Sequence, residues 1–164
     1  MSIILQRRSI RSFSSRLVTD AQIKNIVTAG MYAPSAGNQQ GWRFIVIKNR
    51  ILLDTLSKLS LYATPLKKAN VAILILGDKN VKFPQNLEQD LSACAENILL
   101  EITNQGLGGV WLAVSPEKER IEYVKQVLNI QENEYPFCII PIGYPEKEIL
   151  QVNRFDEKKI TYIN

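Results

Sequence analysis

The apolar residues that follow Thr19 recur at helical spacing and predict a helix leading into the segment at residues 31–47. Thr19 can cap the first turn, and Gln22 stands three residues later, as in a capping box. The apolar positions of this helix are Ile23, Ile26, Val27, Gly30 and Met31. A short opening helix is predicted before it, over residues 2–8, and a polar, irregular segment separates the two.

Strand-like and helix-like segments are interspersed along the rest of the chain. Strands are predicted over residues 43–48, 71–76, 108–114, 137–142 and 160–163, and helices over residues 50–59, 86–104 and 115–128. The helix at residues 86–104 has the widest apolar stripe, so we expect it to be the central helix. Ser115 and Pro116 are placed as the N-cap and the first residue of the last helix.

This order of elements predicts an α/β or α+β domain built on one sheet. The length of 164 residues suits a single domain that spans residues 1–164. Residues 146–159 are highly charged, and we expect them to lie on the surface or to reach across to a partner.

Residues 31–47, with the sequence MYAPSAGNQQGWRFIVI, combine turn-forming residues, side-chain amides and an aromatic ring directly before a strand. Pro34, Ser35, Gly37 and Asn38 cannot extend the apolar pattern that precedes them. Loops held by a rigid element often bind ligands. Taken alone, the segment fits a binding loop and a plain helix-to-strand connection about equally well.

A second unusual segment, RRSIRSF at residues 7–13, contains a cluster of arginines. In an extended conformation Arg7, Ser9 and Arg11 share one face, while Ile10 points the other way. Guanidinium groups and a hydroxyl can hold a phosphate, because planar donors match phosphate oxygens in pairs. Arginine clusters are more often simply solvated, so this pattern alone is weak evidence for a phosphate site.

The composition removes several kinds of catalytic machinery. The chain contains no histidine, which excludes Ser/His/Asp and Cys/His nucleophilic sites, HExxH zinc sites and histidine proton shuttles. Cys94 and Cys138 lie far apart in apolar surroundings, and we interpret both as core residues. An enzyme of this composition needs another group to perform its chemistry.

Neither a membrane nor a nucleic acid is a predicted partner. No segment reaches the roughly 18 consecutive apolar residues of a membrane span, and the first 20 residues lack the apolar run of a signal peptide. We therefore expect a soluble, cytoplasmic protein. The net charge of +4 is modest, and the early arginines are clustered rather than spread in a basic stripe with interleaved aromatic residues. This distribution favours a local anion site over nucleic-acid binding.

The glycines of GLGG at residues 106–109 do not match a dinucleotide-binding fingerprint. That motif follows a strand and opens a helix, whereas this run follows a helix and opens a strand. We interpret these glycines as the end of a helix and a place where the backbone approaches a neighbour or a ligand.

The motifs RRSIRSF and APSAGNQQGWRFIVI, a long helix, and then GLGGVWLAVSP, IPIGYP and NRFDEKKITY occur in this order. Together they resemble the nitroreductase family of FMN-dependent oxidoreductases, in one of its short, compact members. The resemblance covers nearly the whole chain, and its most specific parts are the first two motifs. It implies an α+β, three-layer fold with a central mixed, mostly antiparallel sheet flanked by helices. It also implies an intertwined homodimer with FMN sites at the interface.

The resemblance assigns cofactor-binding residues by position and implies no catalytic side chain. The motif that holds the FMN phosphate and ribityl chain corresponds to Arg7, Arg8, Ser9 and Arg11. A late basic residue that returns to the phosphate corresponds to Arg154. The loop that meets the isoalloxazine ring, generally from the other subunit, corresponds to Pro34, Ser35, Asn38 and Gln40. The backbone that approaches the polar edge of the flavin corresponds to Ala113 and Val114.

The function implied by the resemblance is electron transfer from NADH or NADPH, through FMN in a ping-pong cycle, to small acceptors such as nitro compounds or quinones. A flavin-binding protein without turnover, serving as a store, sensor or interaction module, is the alternative. Gly41 departs from the family pattern, which usually has proline there, and we expect it to loosen the loop. Val152 replaces a lysine of some relatives, so the N-terminal arginines are expected to carry more of the phosphate binding.

Overall fold

One antiparallel sheet organises the protein, whose computed structural model describes residues 2–147 and 152–163. Its strands are β1 (Trp42–Ile47), β2 (Val71–Asp78), β3 (Gly108–Gly109), β4 (Leu112–Ala113) and β5 (Glu134–Gly143). Strand β5 pairs with β2 and with both β3 and β4, and β1 pairs with the other side of β2. In the described residues, parallel pairing is limited to a bridge between Ser9 and Gly109.

Helices cover both faces of this sheet. They are α1 (Ile3–Gln6), α2 (Asp20–Met31), α3 (Arg50–Leu56), α4 (Leu87–Asn104) and α5 (Lys118–Leu128). Short 3₁₀ helices lie at Ala36–Asn38, Leu61–Lys67, Pro84–Asn86 and Glu157–Lys159. The capping box of α2 forms as predicted. The backbone N–H of Gln22 donates to Thr19 Oγ1, and the backbone N–H of Thr19 donates to Gln22 Oε1.

The apolar run of β2 explains why both faces are covered. Alternate residues of a strand point to opposite faces, and every residue from Val71 to Gly77 is buried. Ile73 and Ile75 join a core cluster with α2 and α4, while Leu74 joins a second cluster with α3 and α5. The result is an α+β arrangement with a sheet between helical layers, as the family resemblance implies, but the strand pairs of this sheet are all antiparallel in the described residues rather than mixed.

Helix α4 is the central helix of the first core cluster, as its apolar stripe predicts. Its buried residues are Leu87, Asp90, Leu91, Cys94, Ala95, Ile98, Leu99 and Ile102. Cys94 and Cys138 are both buried and free. Burial raises the pKa of the Cys94 thiol to about 12, so it is a neutral core side chain, as interpreted from the sequence.

The predicted start of the last helix is wrong. Helix α5 begins at Lys118, after Glu117, and not at Pro116. The Ser115 hydroxyl donates to Glu88 Oε1 at 2.9 Å, and the Ser115 amide donates to Phe137 O. Ser115 is therefore engaged by the first turn of α4 and by β5, and it does not cap helix α5.

The strand predicted over residues 108–114 is interrupted. Strands β3 and β4 pair with β5 in one continuous register, with Gly109 opposite Ile142 and Leu112 opposite Ile139. Val110 and Trp111 fall between them outside the ladder. The Trp111 ring packs edge-on against the Phe137 ring, with centroids 5.3 Å apart.

The strand predicted over residues 160–163 does not form within the single chain. Within the described residues, this segment pairs with no strand, and the side chains of Ile160, Tyr162 and Ile163 are exposed. A strand needs an edge to pair with, and the tail reaches none here. Residues 152–159 are exposed, as expected for a charged surface segment, and residues 148–151 of the predicted segment lie outside the described residues.

The arginine segment is tied to the sheet by its backbone. The Ile10 amide donates to Gly109 O at 2.9 Å, and Phe13 bridges to Pro145. Gly108 permits this approach, because a Cβ atom there would lie 2.6 Å from Ile10 Cβ. The two glycines of β3 therefore set where the arginines lie.

Replacing Gly108 with alanine is expected to push the arginine segment away from the sheet. The contact with Ile10 cannot be relieved by turning a side-chain end, so we expect a loss of about 1–3 kcal/mol in the free energy of unfolding. Hydrogen exchange at the Ile10 amide should become faster, because its bond to Gly109 O is weakened.

Gly106→Ala is the matched control for this prediction. A Cβ atom at Gly106 meets nothing within 4 Å, although its φ of +69° carries a backbone cost. We expect Gly106→Ala to lower stability without specifically accelerating exchange at Ile10. Equal effects of both variants on the Ile10 amide would contradict the steric explanation.

Candidate functional site

A cavity of about 730 Å³ lies between α1, the arginine segment, α4 and the C-terminal tail. Its lining combines apolar side chains with three guanidinium groups and one carboxylate. The lining residues are Ile4, Leu5, Arg7, Arg8, Glu96, Val152, Asn153, Arg154 and Phe155. The structure thus brings Arg7, Arg8 and Arg154, three of the predicted phosphate-binding residues, to one cavity.

Arg7 and Glu96 form an ion pair in this cavity, with Arg7 Nε 3.2 Å from Glu96 Oε1. The Arg7 side chain is 18% exposed, whereas that of Glu96 is 50% exposed. The Arg7 side chain is thus largely enclosed by protein, and that of its partner Glu96 remains in contact with water.

Ser9 and Arg11 do not line this cavity. Ser9 lies beside Gly109, and Arg11 Nη1 lies 3.5 Å from Ser9 O, at the limit of a hydrogen bond. Both residues are exposed. The shared face of Arg7, Ser9 and Arg11, expected from an extended segment, therefore does not become a shared cavity within the described residues.

The loop after α2 is held by a buried carboxylate. Asp90, on the first turn of α4, accepts hydrogen bonds from the Ala36 amide at 2.9 Å and from Gln39 Nε2 at 2.6 Å. Hydrogen bonds to a charged acceptor are stronger than neutral ones. Asp90 therefore joins the loop directly to the central helix.

The segment before α4 holds the same loop from the other side. The Gln39 side chain donates to Phe83 O at 3.2 Å and accepts from the Phe83 amide at 2.8 Å. Gly37, with a φ of +55°, lies so close to Phe83 that a Cβ atom would be 2.5 Å from the ring. Glycine is needed here for both the backbone angle and the close approach.

The remaining polar groups of the loop bond to one another. The Gln40 amide donates to Ser35 Oγ at 3.0 Å, and Gln40 Nε2 donates to Asn38 Oδ1 at 3.0 Å. Asn38 and Gln40 have φ angles of 54° and 49°, and both side chains are exposed, as is that of Pro34. The loop thus presents ordered amide groups to solvent.

The loop and the arginine cavity are separate in this chain. Gln40 borders two other grooves, of about 450 and 510 Å³, beside Trp42 and Arg43. None of the predicted loop residues lines the cavity that contains Arg7 and Arg154. The two predicted parts of the flavin site are therefore not combined into one cavity by the described residues.

The end of β4 is anchored by its own hydrogen bonds. Ala113 is exposed, and its carbonyl accepts from Arg120 Nη1 at 3.2 Å. Val114 is buried, and its amide donates to Phe137 O at 3.1 Å. Of these two predicted residues, only Ala113 has surface open to a ligand.

A side-chain cluster lies directly after Val114. Tyr135 OH donates to Glu88 Oε1 at 2.6 Å, and the Ser115 hydroxyl contacts both groups. Burial and the hydrogen bond to Glu88 raise the pKa of Tyr135 above its ordinary value, so this phenol stays protonated and acts as a donor. The cluster ties the end of β4 to the first turn of α4.

Asp90 and Gln39 are anchoring residues that sequence reasoning missed. Asp90 lies on the buried face of α4, between Leu87 and Leu91. A lone carboxylate on an apolar stripe needs a polar partner, and that signal was available in the sequence. The link between Gln39 and Phe83 spans 44 positions and has no local signal.

The described residues offer no sign of a metal centre or a membrane span. No group of three or more Cys, Asp or Glu residues among them is arranged to hold a metal ion. No helix among them has both the length and the apolar character needed to cross a membrane.

Comparison with known proteins identifies the family. The model of the nitroreductase family matches residues 4–144. The chain belongs to the nitroreductase family. A relative from Archaeoglobus fulgidus, named as an NADH dehydrogenase/NAD(P)H nitroreductase, is 41% identical over 150 residues, covering 90% of this chain and 86% of the relative.

Solved structures superpose closely on this chain over nearly its whole length. A crystal structure from Clostridium acetobutylicum, named as an NADH oxidase, has a TM-score of 0.95 and 45% identity, and 98% of each chain is covered. A protein from Desulfovibrio desulfuricans, named as a nitroreductase and crystallised in complex with FMN, has a TM-score of 0.85 and 28% identity, covering 99% of this chain and 95% of that chain.

Gly41, the departure from the usual nitroreductase loop, is packed rather than loose. Gly41 is buried, and its carbonyl accepts from the Asp78 amide at 2.8 Å. A Cβ atom there would lie 2.6 Å from Val81 Cγ1 and 3.1 Å from Leu87 Cδ1. Val81 therefore occupies the space that a larger residue at position 41 would need.

Gly41→Ala is expected to lower the free energy of unfolding by about 1–3 kcal/mol through overpacking against Val81. The double variant Gly41→Ala/Val81→Ala should recover part of this loss, because the second change removes the methyl group that is hit. Urea unfolding of the two single variants and the double variant gives the coupling energy, expected at about 0.5–3 kcal/mol. Strictly additive losses would show that Val81 does not exclude a side chain at position 41.

Proposed function

We propose that this nitroreductase family member binds FMN and transfers electrons from NADH or NADPH to small acceptors such as nitro compounds or quinones. The observation that carries the proposal is the cavity where Arg7, Arg8 and Arg154 converge. The name of the Archaeoglobus relative and the FMN complex of the Desulfovibrio protein support it.

The composition of the cavity suits FMN. Its guanidinium groups can hold a phosphate, and its volume of about 730 Å³ falls in the range of small-molecule sites. Ile4, Leu5 and Phe155 add apolar surface beside the charged end. We propose that Arg7, Arg8 and Arg154 hold the phosphate, with Ser9 and Arg11 beside them along the ribityl chain.

We extend the proposal to a homodimer in which each FMN site draws on both subunits. The loop with Pro34, Ser35, Asn38 and Gln40 lies outside the arginine cavity and exposes all four of these residues except the half-buried Ser35, so a second copy could supply it. The exposed apolar residues of the tail and of α1 offer surface for such an interface. They are Ile4, Leu5, Val152, Phe155, Ile160, Tyr162 and Ile163.

A free strand edge supports the same arrangement. Among the described residues, β1 pairs only with β2, so its other edge is open to a further strand. The segment at residues 160–163 has the apolar residues expected of a strand and lacks an edge in its own chain. Exchange of this tail between two copies would give the open edge of β1 a partner strand and would give the segment at residues 160–163 an edge to pair with, since unpaired edges attract additional strands.

The chemistry assigned to the protein is binding and orientation. FMN, when bound, supplies the hydride-accepting and electron-donating chemistry, so no histidine or cysteine is required. The arginines would fix the phosphate end, and the loop amides of Asn38 and Gln40 would face the ring. Ala113, exposed at the end of β4, would border the polar edge, while Asp90 and Glu88 hold these segments in place through hydrogen bonds.

Anaerobic titration tests the proposed turnover. NADH or NADPH should bleach the absorbance of protein-bound FMN, and a nitro compound or quinone should then restore it. A parallel titration of free FMN at the same concentration is the control for unassisted reduction.

The outcomes of this titration separate the alternatives. If the protein binds FMN but neither NADH nor NADPH reduces it, the result would favour a flavin-binding protein without turnover. A protein that takes up no FMN would contradict both readings.

Replacing Arg7 with alanine is expected to weaken FMN binding about ten- to hundredfold, because a charge-assisted hydrogen bond to the phosphate is lost. Riboflavin, which lacks the phosphate, should lose much less. Fluorescence titration with both flavins measures the difference, and Arg11→Ala applies the same test to the residue outside the cavity.

Lys24→Ala, which removes one positive charge from the exposed face of α2, is the control. Equal losses for FMN and riboflavin would contradict phosphate binding by Arg7.

A further inference from the structure

Glu96 is an unexpected residue for a cavity that binds an anion. It is the only carboxylate among the described lining residues, and it contacts the Nε atom of Arg7 at 3.2 Å. A carboxylate this close repels a phosphate and neutralises part of the charge that would attract it. Its presence therefore weakens the very interaction for which the arginines are suited.

The two partners differ in burial, and this difference favours movement of Glu96 over movement of Arg7. Arg7 is mostly enclosed, with 18% of its side chain exposed, so its guanidinium group stays at the cavity. Glu96 is half exposed on the surface of α4 and can turn into water at little cost. An incoming anion can thus replace Glu96 as the partner of Arg7 without moving Arg7 itself.

We infer that Glu96 is an internal competitor for the phosphate of the flavin and sets how strongly this chain distinguishes FMN from riboflavin. The inference rests on the proposed function. In the ligand-free protein, Glu96 neutralises the guanidinium group of an arginine whose side chain is only 18% exposed, and leaving that charge unpaired would cost free energy. When a phosphate occupies the cavity, Arg7 exchanges one anion for another, and Glu96 is released to solvent.

Glu96→Gln tests this competition, because glutamine keeps the shape and an acceptor oxygen but removes the charge. FMN binding should become about three- to tenfold tighter, the size expected from removing one nearby charge in a partly solvated site. Riboflavin binding should stay unchanged, since it brings no phosphate. Circular dichroism and thermal unfolding check that the variant folds like the parent.

Glu101→Gln is the matched control. It removes the same charge from the same helix, at a residue that does not line the arginine cavity. It should leave the ratio of FMN to riboflavin affinity unchanged. A similar gain in this control would mean that net charge alone controls FMN affinity, and it would overturn the inference.

A double-variant cycle with Arg7→Ala separates competition from simple repulsion. If Glu96 acts by occupying Arg7, Glu96→Gln should give a clearly smaller gain in FMN affinity once Arg7 is absent. An equal gain in both backgrounds would overturn the competition, as would a weaker FMN affinity in Glu96→Gln, which would make Glu96 a positioning residue for Arg7.

The failure of this inference differs from that of the proposed function. If the parent protein binds FMN well and Glu96→Gln changes the FMN affinity neither alone nor together with Arg7→Ala, only the role of Glu96 is refuted. Absence of FMN binding in the parent protein would remove both.

Discussion

The two-sided burial of β2 and β5 is the constraint on which the rest of the structure depends. Both strands are almost entirely apolar, so each face of the sheet needs its own helical layer. This leaves the polar groups of the chain little room except at the ends of the strands and on the outer surfaces of the helices. The candidate site is accordingly built at the margins of the core.

Helix α4 connects that core to each part of the site. Its apolar face packs on the sheet, while three of its carboxylates reach three different segments. Glu88 contacts the cluster at Ser115, Asp90 holds the loop at Ala36, and Glu96 pairs with Arg7. Because Glu88 and Asp90 lie on one rigid helix, the end of β4 and the loop are held at fixed positions relative to each other, whereas Glu96 meets Arg7 at the exposed surface of the same helix.

The sequence predicts the elements with strong local signals. The capping box at Thr19, the apolar run of β2 and the stripe of α4 each specify one structure through residues that are close in the chain. The arginine motif and the loop also carry enough local signal to indicate the family. The predictions that failed concern residues whose partners are distant in the sequence. The Ser115 hydroxyl can cap a helix or donate a hydrogen bond to Glu88, and only the folded chain decides between these uses. The segment at residues 160–163 forms no strand within the single chain for the same reason, since strand pairing depends on an edge elsewhere.

The contacts of Gly41 show how a departure from a family pattern can be accommodated. A glycine in a loop usually adds freedom to the unfolded chain and costs stability. Here its missing side chain lets Val81 and Leu87 pack against the loop backbone, and the Asp78 amide bonds its carbonyl. A proline at position 41 would restrict the backbone through its ring. In this chain, the contacts of Asp78 and Val81, which lie before α4, restrict the same backbone. Loop and segment therefore form one packed unit, in which a change at position 41 acts first through Val81.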